Sequence, residues 1–195
     1  MAVEIEIKAK ISDPAKTRAC INETFTFMGN FEKNDAYWFK DNEILPSGLR
    51  IRKETLTNPQ GGLSQTVRVT YKNKETCGGM EINDEKEFIL GGIEEGIESG
   101  IEFEGLLNLL GFKKEREKRK KGEAYTKDGL KVELCDVEGL GWFVEIEILE
   151  SNMHEETIAA ARKRLFSCLA ELGIREKDIE TRFYAELLEQ LNGNC

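Results

Sequence analysis

The chain has 195 residues, of which 33% are charged and 39% hydrophobic, and its formal net charge is -9. This composition is typical of a folded acidic protein and excludes the weakly hydrophobic, disordered class. Nucleic acid is an unexpected partner, because its phosphates are bound by clustered basic side chains. The start lacks a signal-peptide pattern and no apolar run approaches the roughly 20 residues that cross a bilayer, so we expect a cytoplasmic protein with no membrane partner. The length suits a single domain over residues 1–195.

The first predicted strand covers residues 2–11 and carries an informative charge pattern. Glu4, Glu6 and Lys8 alternate with apolar residues, so a strand places all three charges on one face. Two carboxylates on such a face can share a hard divalent cation, and a lysine beside them can neutralise a phosphate oxygen. A strand whose polar face is simply solvated is the alternative that this segment leaves open.

Turn residues and apolar periodicity predict a mixture of helices and strands further along the chain. A helix is expected to begin at Asp13-Pro14, which suits a capped first turn, and to end near Gly29. Further helices are expected over residues 97–110, 155–172 and 178–191. The remaining strands are predicted at residues 35–40, 48–55, 65–73, 81–90, 112–127, 130–135 and 142–149.

Most of these strands repeat the alternation of charged and apolar residues. The charged pairs that share a strand face in this way are Arg50 and Arg52, Arg68 and Lys72, Glu85 and Glu87, Lys118 and Lys120, and Glu145 and Glu147. If the strands close into a barrel, helices can cover the outside and the charged rows line the lumen. Such a lumen is costly unless a polyanion chelated to divalent metal bridges its charges. An open sheet with a water-facing charged face is the alternative that the pattern leaves open.

Three segments resemble a known family. Glu4-x-Glu6-x-Lys8 is similar to the ExExK signature of the CYTH superfamily, the triphosphate tunnel metalloenzymes. The segment from Asp136 to Glu147 resembles a longer and more specific acidic motif of the same family. Arg182-x-Tyr184 looks like the ending of the CyaB-like branch, the class IV adenylyl cyclases. With the intervening motifs in the same order, the resemblance covers essentially the whole chain.

The resemblance implies an α+β fold in which a closed, antiparallel, eight-stranded β-barrel forms a triphosphate tunnel, with helices packed on the outside. It implies a nucleoside or other triphosphate as the substrate and Mg²⁺ or Mn²⁺ as the cofactor. The reaction that it favours is conversion of ATP to cyclic AMP and pyrophosphate. The alternatives are a phosphohydrolase of inorganic, thiamine or nucleoside triphosphate, and a catalytically silent module that binds a nucleotide or polyphosphate. A homodimer is compatible with each of these.

The resemblance also implies roles for individual residues. The implied metal ligands are carboxylates, namely Glu4, Glu6 and Glu145, with Glu87 and Glu147 in support. The implied catalytic cations are Lys8, Lys72 and Lys120. The residues expected to bind the triphosphate alongside them are Arg50, Arg52, Arg68, Lys118 and Arg182.

One position departs from the metal-binding pattern of the family. The aspartate of its usual Leu-Asp pair falls at Cys135 in this chain. A cysteine is a poor ligand for a hard cation, so Glu133 or Asp136 is expected to substitute for the missing carboxylate. The change bears more on cyclase chemistry than on triphosphate binding.

A second position departs from the phosphate-binding pattern. The tunnel arginine of the family falls at Gly122, two residues after Lys120. One alternative is an unfilled position in the phosphate site. The other is a local bulge that turns Arg119 or Lys121 inward to replace the arginine.

Overall fold

The computed structural model describes residues 3–40, 48–90 and 95–192, without the side chains of residues 48, 72–75, 84–85, 95–97 and 192. The strands within these ranges are β1 (Val3–Lys10), β2 (Thr26–Lys40), β3 (Gly48–Thr57), β4 (Leu63–Cys77), β5 (Met80–Ile89), β6 (Phe112–Lys127), β7 (Leu130–Val137) and β8 (Gly141–Glu150). The helices are α1 (Pro14–Thr24), α2 (Glu95–Leu109), α3 (Glu155–Glu171) and α4 (Tyr184–Asn192), with a short 3-10 turn at Glu176–Asp178. The predicted α+β class is confirmed.

The strands form one antiparallel sheet. Hydrogen bonding runs in the order β1-β5-β4-β3-β2-β6-β7-β8, and β8 returns to β1 so that the ring closes. Most neighbouring strands also follow each other along the chain and form hairpins. The first strand, β1, instead lies between β5 and β8 and joins the two halves of the ring. Because strand residues alternate between the two faces, closure sends one set of side chains inward and the other toward the helices.

On β1 and β8 the outward face of the sheet is apolar and is covered by helices α1 and α3. Ile5 of β1 and Ile146 of β8 belong to one buried cluster with Ile21 of α1 and with Leu165 and Leu169 of α3. Full burial of each such side chain contributes about 1.5–3 kcal/mol. These outer contacts hold β1 and β8 in place and leave their charged residues on the inner face.

The first helix is shorter than the sequence predicts. It ends at Thr24, and β2 then runs from Thr26 through Gly29. Gly29 has φ +140° beside a shift in the β2–β6 register, and a Cβ there would lie 2.3 Å from the carbonyl oxygen of Thr57. The glycine therefore marks a bulge in a strand, where close backbone approach excludes a side chain, rather than the end of a helix.

The last helix begins later than predicted, at Tyr184 instead of residue 178. The segment before it pairs with β1, because Ile179 bridges Ala9 and the Glu180 amide donates to the carbonyl oxygen of Lys8 at 2.9 Å. This attachment brings the start of α4 to the barrel cavity. None of the described helices has the length and apolarity needed to cross a membrane.

Candidate metal and triphosphate site

A cavity of about 660 Å³ lies inside the barrel, and charged side chains dominate its wall. The basic residues that line it are Lys33, Arg50, Arg52, Arg68, Arg116, Lys118, Lys120 and Lys131. The acidic residues that line it are Glu4, Glu6, Glu54, Glu81, Glu87, Glu133, Glu145, Glu147 and Glu186. The cavity therefore offers both kinds of group that a metal-bound polyanion requires.

Strand register brings a set of carboxylates together on one wall. Glu6 of β1 is the register partner of Glu147 in β8 on one side and of Glu81 in β5 on the other. Single carboxylate oxygens of Glu4, Glu6 and Glu147 all lie within 4.8 Å of one another. Hard divalent cations prefer oxygen ligands, so this donor set fits Mg²⁺ or Mn²⁺.

The electrostatics of this carboxylate cluster also fit a cation. Burial and the negative charge of Glu4 raise the pKa of Glu147, against the opposing effect of Lys131. Lys131 Nζ lies 3.2 Å from the Glu147 carboxylate. A divalent cation would relieve the crowding of negative charge and favour the ionised form of Glu147.

A second cluster surrounds Glu133, which is 2% exposed. Its carboxylate accepts hydrogen bonds from Lys33 at 2.5 Å and from Lys120 at 2.9 Å, and it pairs with Lys131 at 2.8 Å. Burial opposes ionisation, but Lys120 and Lys33 outweigh it and hold the pKa of Glu133 well below its usual range. Because this cluster and the carboxylate cluster share Lys131, the lysines lie next to the candidate metal position.

Glu145 joins the barrel wall to the C-terminal helix. It pairs with Lys120 at 2.5 Å and accepts a hydrogen bond from the Tyr184 hydroxyl at 2.6 Å. Burial opposes its ionisation, but the Lys120 charge prevails and lowers the pKa of Glu145 to about 2. The side chain is thus an anion held by a lysine and a tyrosine.

The opposite wall carries arginines and a buried aspartate. Arg52 donates two hydrogen bonds to Asp35 at 2.6 and 2.8 Å, and Lys118 lies 3.1 Å from the same carboxylate. Burial disfavours the Asp35 anion, but Arg52 and Lys118 outweigh it and keep the pKa of Asp35 well below its usual range. The Nε groups of Arg50 and Arg68 are buried and meet no hydrogen-bond acceptor within the described ranges. These N–H groups suit an anionic oxygen of a ligand.

The structure places the predicted metal residues at more than one location. Glu4, Glu6 and Glu147 share the carboxylate cluster, whereas Glu145 lines the cavity beside Lys120. Glu87 lies with the arginines, where it accepts hydrogen bonds from Arg68 and Thr70 at 2.7 and 2.9 Å and its pKa is lowered despite burial. Only part of the predicted set therefore meets at one metal position among the described residues.

Three of the basic residues predicted for the site are not among the described residues that line the cavity. Lys8 is buried and pairs with Glu81, and its ammonium lies 5.5 Å from the ring centroid of Tyr184. Arg182 does not line the cavity, because its guanidinium pairs with Glu180 at 2.6 Å and with Gln190 at 2.9 Å on the surface. The side chain of Lys72 lies outside the described part of the chain.

Gly122 is required by the packing of two strands. A Cβ at this position would lie 2.2 Å from the carbonyl oxygen of Leu134 in β7. No inward arginine fits there without a shift of the backbone. The structure also contradicts the alternative of a bulge, because Arg119 is on the outer surface with 61% of its side chain exposed and Lys121 is exposed as well.

Cys135, which stands where the family has an aspartate, is buried beside Glu145. Its side chain is fully buried, and Sγ lies 3.7 Å from Glu145. Burial and the Glu145 charge raise the pKa of Cys135, so the thiol stays protonated. Glu133, one of the two expected substitutes, lines the cavity, whereas Asp136 does not.

Several residues at the cavity lie outside the site that the sequence predicts. The cavity-lining residues absent from the predicted site include Lys33, Arg116, Lys131 and Tyr184, and Asp35 is buried behind Arg52. Lys33, Asp35 and Tyr37 recur at every second position, but the polar Asn34 interrupts the alternation of charged and apolar residues that marks the other strands. Gly29 also resembles a helix end, which predicts a strand that begins only at residue 35.

Comparisons with known proteins agree with this geometry. The model of the CYTH domain matches residues 2–184. A Methanocaldococcus jannaschii protein named "Putative adenylate cyclase MJ0240" is 29% identical over 189 residues, which cover 95% of this chain and 98% of that protein. The structure of the PH1819 protein from Pyrococcus horikoshii is 30% identical with a TM-score of 0.79, covering 96% of this chain and 98% of the other.

A more distant structure shares the fold. The Hippeastrum protein named "Putative adenylyl cyclase HpAC1" is 19% identical with a TM-score of 0.61, and the match covers 97% of this chain and 96% of that one. At this identity the likeness supports the fold alone. The family match, by contrast, spans nearly the whole chain and includes every strand described above. The chain therefore belongs to the CYTH domain family.

Proposed function

We propose that this protein is a divalent-metal-dependent enzyme that acts on a triphosphate inside the barrel, and that it converts ATP to cyclic AMP and pyrophosphate. The observation that carries the proposal is the contact between the carboxylate cluster and the lysines that surround Glu133. Lys131 pairs with Glu147 of the carboxylate cluster and with Glu133, which also holds Lys33. A metal position thus adjoins a group of buried ammonium ions, as a chelated triphosphate requires.

The carboxylate cluster would hold the cation. Glu4, Glu6 and Glu147 are the residues whose oxygens lie close enough to share one ion. A divalent cation bound there would neutralise charge on phosphoryl oxygens and orient the triphosphate. This role needs hard oxygen ligands, which the three side chains supply.

The basic side chains would bind and orient the phosphates. Lys33, Lys120 and Lys131 present ammonium groups from neighbouring strands, each buried or partly buried in the cavity wall. Arg50 and Arg68 add buried Nε–H donors that have no acceptor within the described ranges. Charge-assisted hydrogen bonds from these groups stabilise the charge that spreads over the phosphoryl oxygens in the transition state.

In the favoured reaction the ribose 3′ oxygen attacks the α-phosphorus. The bond from the α-phosphorus to the oxygen that bridges the α- and β-phosphates breaks, and pyrophosphate leaves with the electron pair. The 3′-hydroxyl proton is released to water. Little covalent help is needed from the protein, because positioning and charge stabilisation supply most of the catalysis in phosphoryl transfer.

Hydrolysis of the triphosphate is the second candidate, and the composition of the cavity wall favours it. The wall carries few aromatic rings that could hold a base, chiefly those of Tyr37, Phe183 and Tyr184. The Hippeastrum protein with the same fold has a dominant triphosphatase activity. In this reaction water attacks the terminal phosphorus, orthophosphate is produced, and the bridging oxygen leaves with the remaining diphosphate.

Product analysis tests the proposal. Purified protein is incubated with ATP and Mg²⁺ or Mn²⁺, with a chelator-treated sample as the control, and the products are resolved by chromatography. We expect cyclic AMP and pyrophosphate in equal amounts, only when metal is present. ADP with orthophosphate would replace the favoured reaction with the second candidate. Bound ATP that gives no product would contradict both reactions on ATP.

A further inference from the structure

Asn83 is a buried polar residue on the inner face of the barrel, next to the carboxylate cluster. It belongs to β5, and alternation places it on the same face as Glu81 and Glu87, which line the cavity. Its register partner across the sheet is Glu4 of β1. The residue is 0% exposed, so its amide groups do not reach bulk water.

The amide of Asn83 is only half satisfied. Its Nδ2 donates a hydrogen bond of 3.1 Å to Glu4, whereas Oδ1 is buried and has no partner among the side chains and backbone that the structure describes. A buried acceptor without a donor is uncommon, because it loses its bonds to water and gains nothing in return. The bond to Glu4 fixes the orientation of the amide, so Oδ1 cannot exchange places with Nδ2 without losing that contact.

We infer that Asn83 Oδ1 is a further ligand of the divalent cation held by Glu4, Glu6 and Glu147. The inference rests on the proposed function, because it concerns the metal of the same site. Amide oxygens, like carboxylates, are ordinary ligands of hard cations. A cation beside Glu4 would give the orphaned oxygen its partner, while Nδ2 continues to hold the Glu4 carboxylate. The sequence motif of the family does not point to this residue.

Calorimetric titration with Mn²⁺ alone, without nucleotide, tests this role. Asn83→Ala removes the oxygen, and we expect Mn²⁺ affinity to fall about tenfold or more. Asn83→Asp keeps an oxygen at the same position and adds a charge, so we expect Mn²⁺ to bind more tightly than in the wild type. If Asn83 only holds Glu4 in place, the aspartate lacks the N–H donor and repels Glu4, and affinity falls instead. That result would overturn the inference.

A measurement on the unmodified protein removes dependence on how the variants fold. In NMR spectra, Mg²⁺ saturation should shift the side-chain amide resonances of Asn83 and leave those of Asn108 unchanged. Asn108 is exposed on α2 and donates to the Glu104 carbonyl, so it is a control outside the barrel. An unshifted Asn83 resonance in metal-saturated protein would also overturn the inference.

The outcomes separate this inference from the proposed function. Thr17→Ala, which changes a buried polar residue of α1 outside the barrel, should bind Mn²⁺ as the wild type does. Suppose that Mn²⁺ affinity falls in the order Asn83→Asp, wild type, Asn83→Ala, and that the wild type turns over no triphosphate. This result would support the role of Asn83 and contradict the proposed function. Wild-type protein that binds no Mn²⁺ would overturn the inference itself.

Discussion

Tyr184, the first residue of α4, donates a 2.6 Å hydrogen bond to Glu145 of β8. Its ring lies edge-on to Phe143, with centroids 5.1 Å apart, and Lys118 Nζ is 5.0 Å from the ring centroid. Burial and Glu145 raise the pKa of Tyr184 well above its usual range, so the hydroxyl keeps its proton and remains a donor. The C-terminal segment is therefore attached to the charged wall of the cavity and is part of the candidate site.

Removal of this hydroxyl should lower turnover more than it affects the fold. Tyr184→Phe keeps the ring contacts but deletes one hydrogen bond to a charged group, which contributes about 1.5–3 kcal/mol. We expect a lower kcat on the triphosphate, with the KM nearly unchanged, because Glu145 loses a partner that fixes its position. Steady-state kinetics measure both values. Tyr71→Phe, an exposed tyrosine of β4, is the control, and equal kcat values for the two variants would contradict this role.

Triphosphate binding should weaken as the pH rises through about 8, because burial lowers the pKa of Lys33 to about 8 despite the charge of Glu133. Below that pH the ammonium attracts phosphate. Above it, binding must first take up a proton, so affinity falls by up to about tenfold per pH unit until the pKa of the bound form is reached.

Calorimetry between pH 7 and about 9.5 checks this expectation, with Lys33→Met as the comparison. The variant should bind more weakly at pH 7 and lose the step near pH 8, because the group that titrates is gone. A step that persists in Lys33→Met would assign the titration to another residue.

Neutralising one carboxylate of the metal cluster should abolish turnover and leave the fold intact. In Glu6→Gln the cluster with Glu4 and Glu147 loses a charged ligand, so metal-dependent product formation should disappear. The metal-free protein should unfold at the same temperature as the wild type or higher, because like-charge repulsion is relieved. Glu117→Gln, with its side chain 48% exposed on β6, is the matched control. Normal activity of Glu6→Gln would exclude Glu6 as a metal ligand.

Any side chain at Gly122 should destabilise the barrel. In Gly122→Ala the Cβ would meet the Leu134 carbonyl oxygen at 2.2 Å, so β6 and β7 must separate, at a cost of about 1–3 kcal/mol or more. Gly105→Ala on α2 meets no atom within 4 Å, so it should stabilise the helix by about 0.5–1 kcal/mol. Denaturant unfolding measures both free energies. If Gly122→Ala unfolds at the same denaturant concentration as the wild type, β6 and β7 accommodate the side chain without loss of stability.

The strands with strict alternation could be predicted from the sequence, and with them the charged face of the sheet. In β1 and β8 every second residue is apolar, so the inward orientation of Glu6 and Glu147 followed from the period of a strand. Their proximity is set by the β1–β8 register, which makes the two residues direct partners and which alternation within a strand does not give. The sequence therefore predicts the face on which these carboxylates lie, whereas the grouping of Glu147 with Glu4 and Glu6, without Glu145, comes from the structure.

Other parts of the site depend on interactions that the local sequence does not show. The sequence does not predict Lys33 as a site residue, because a glycine such as Gly29 suits a helix end and a strand bulge equally. Only the close approach of Thr57 in the structure distinguishes the two. The attachment of Tyr184 to Glu145 depends on how the segment after α3 pairs with β1. Long-range pairing of this kind leaves no periodic signal in the chain.

A crystal structure with Mn²⁺ and a non-hydrolysable ATP analogue would locate the metal and the triphosphate together. We expect an anomalous Mn²⁺ peak between the carboxylates of Glu4, Glu6 and Glu147, with the triphosphate extending along Lys33 and Lys120 inside the barrel. An analogue bound outside the barrel, or Mn²⁺ bound away from these carboxylates, would contradict the proposed site.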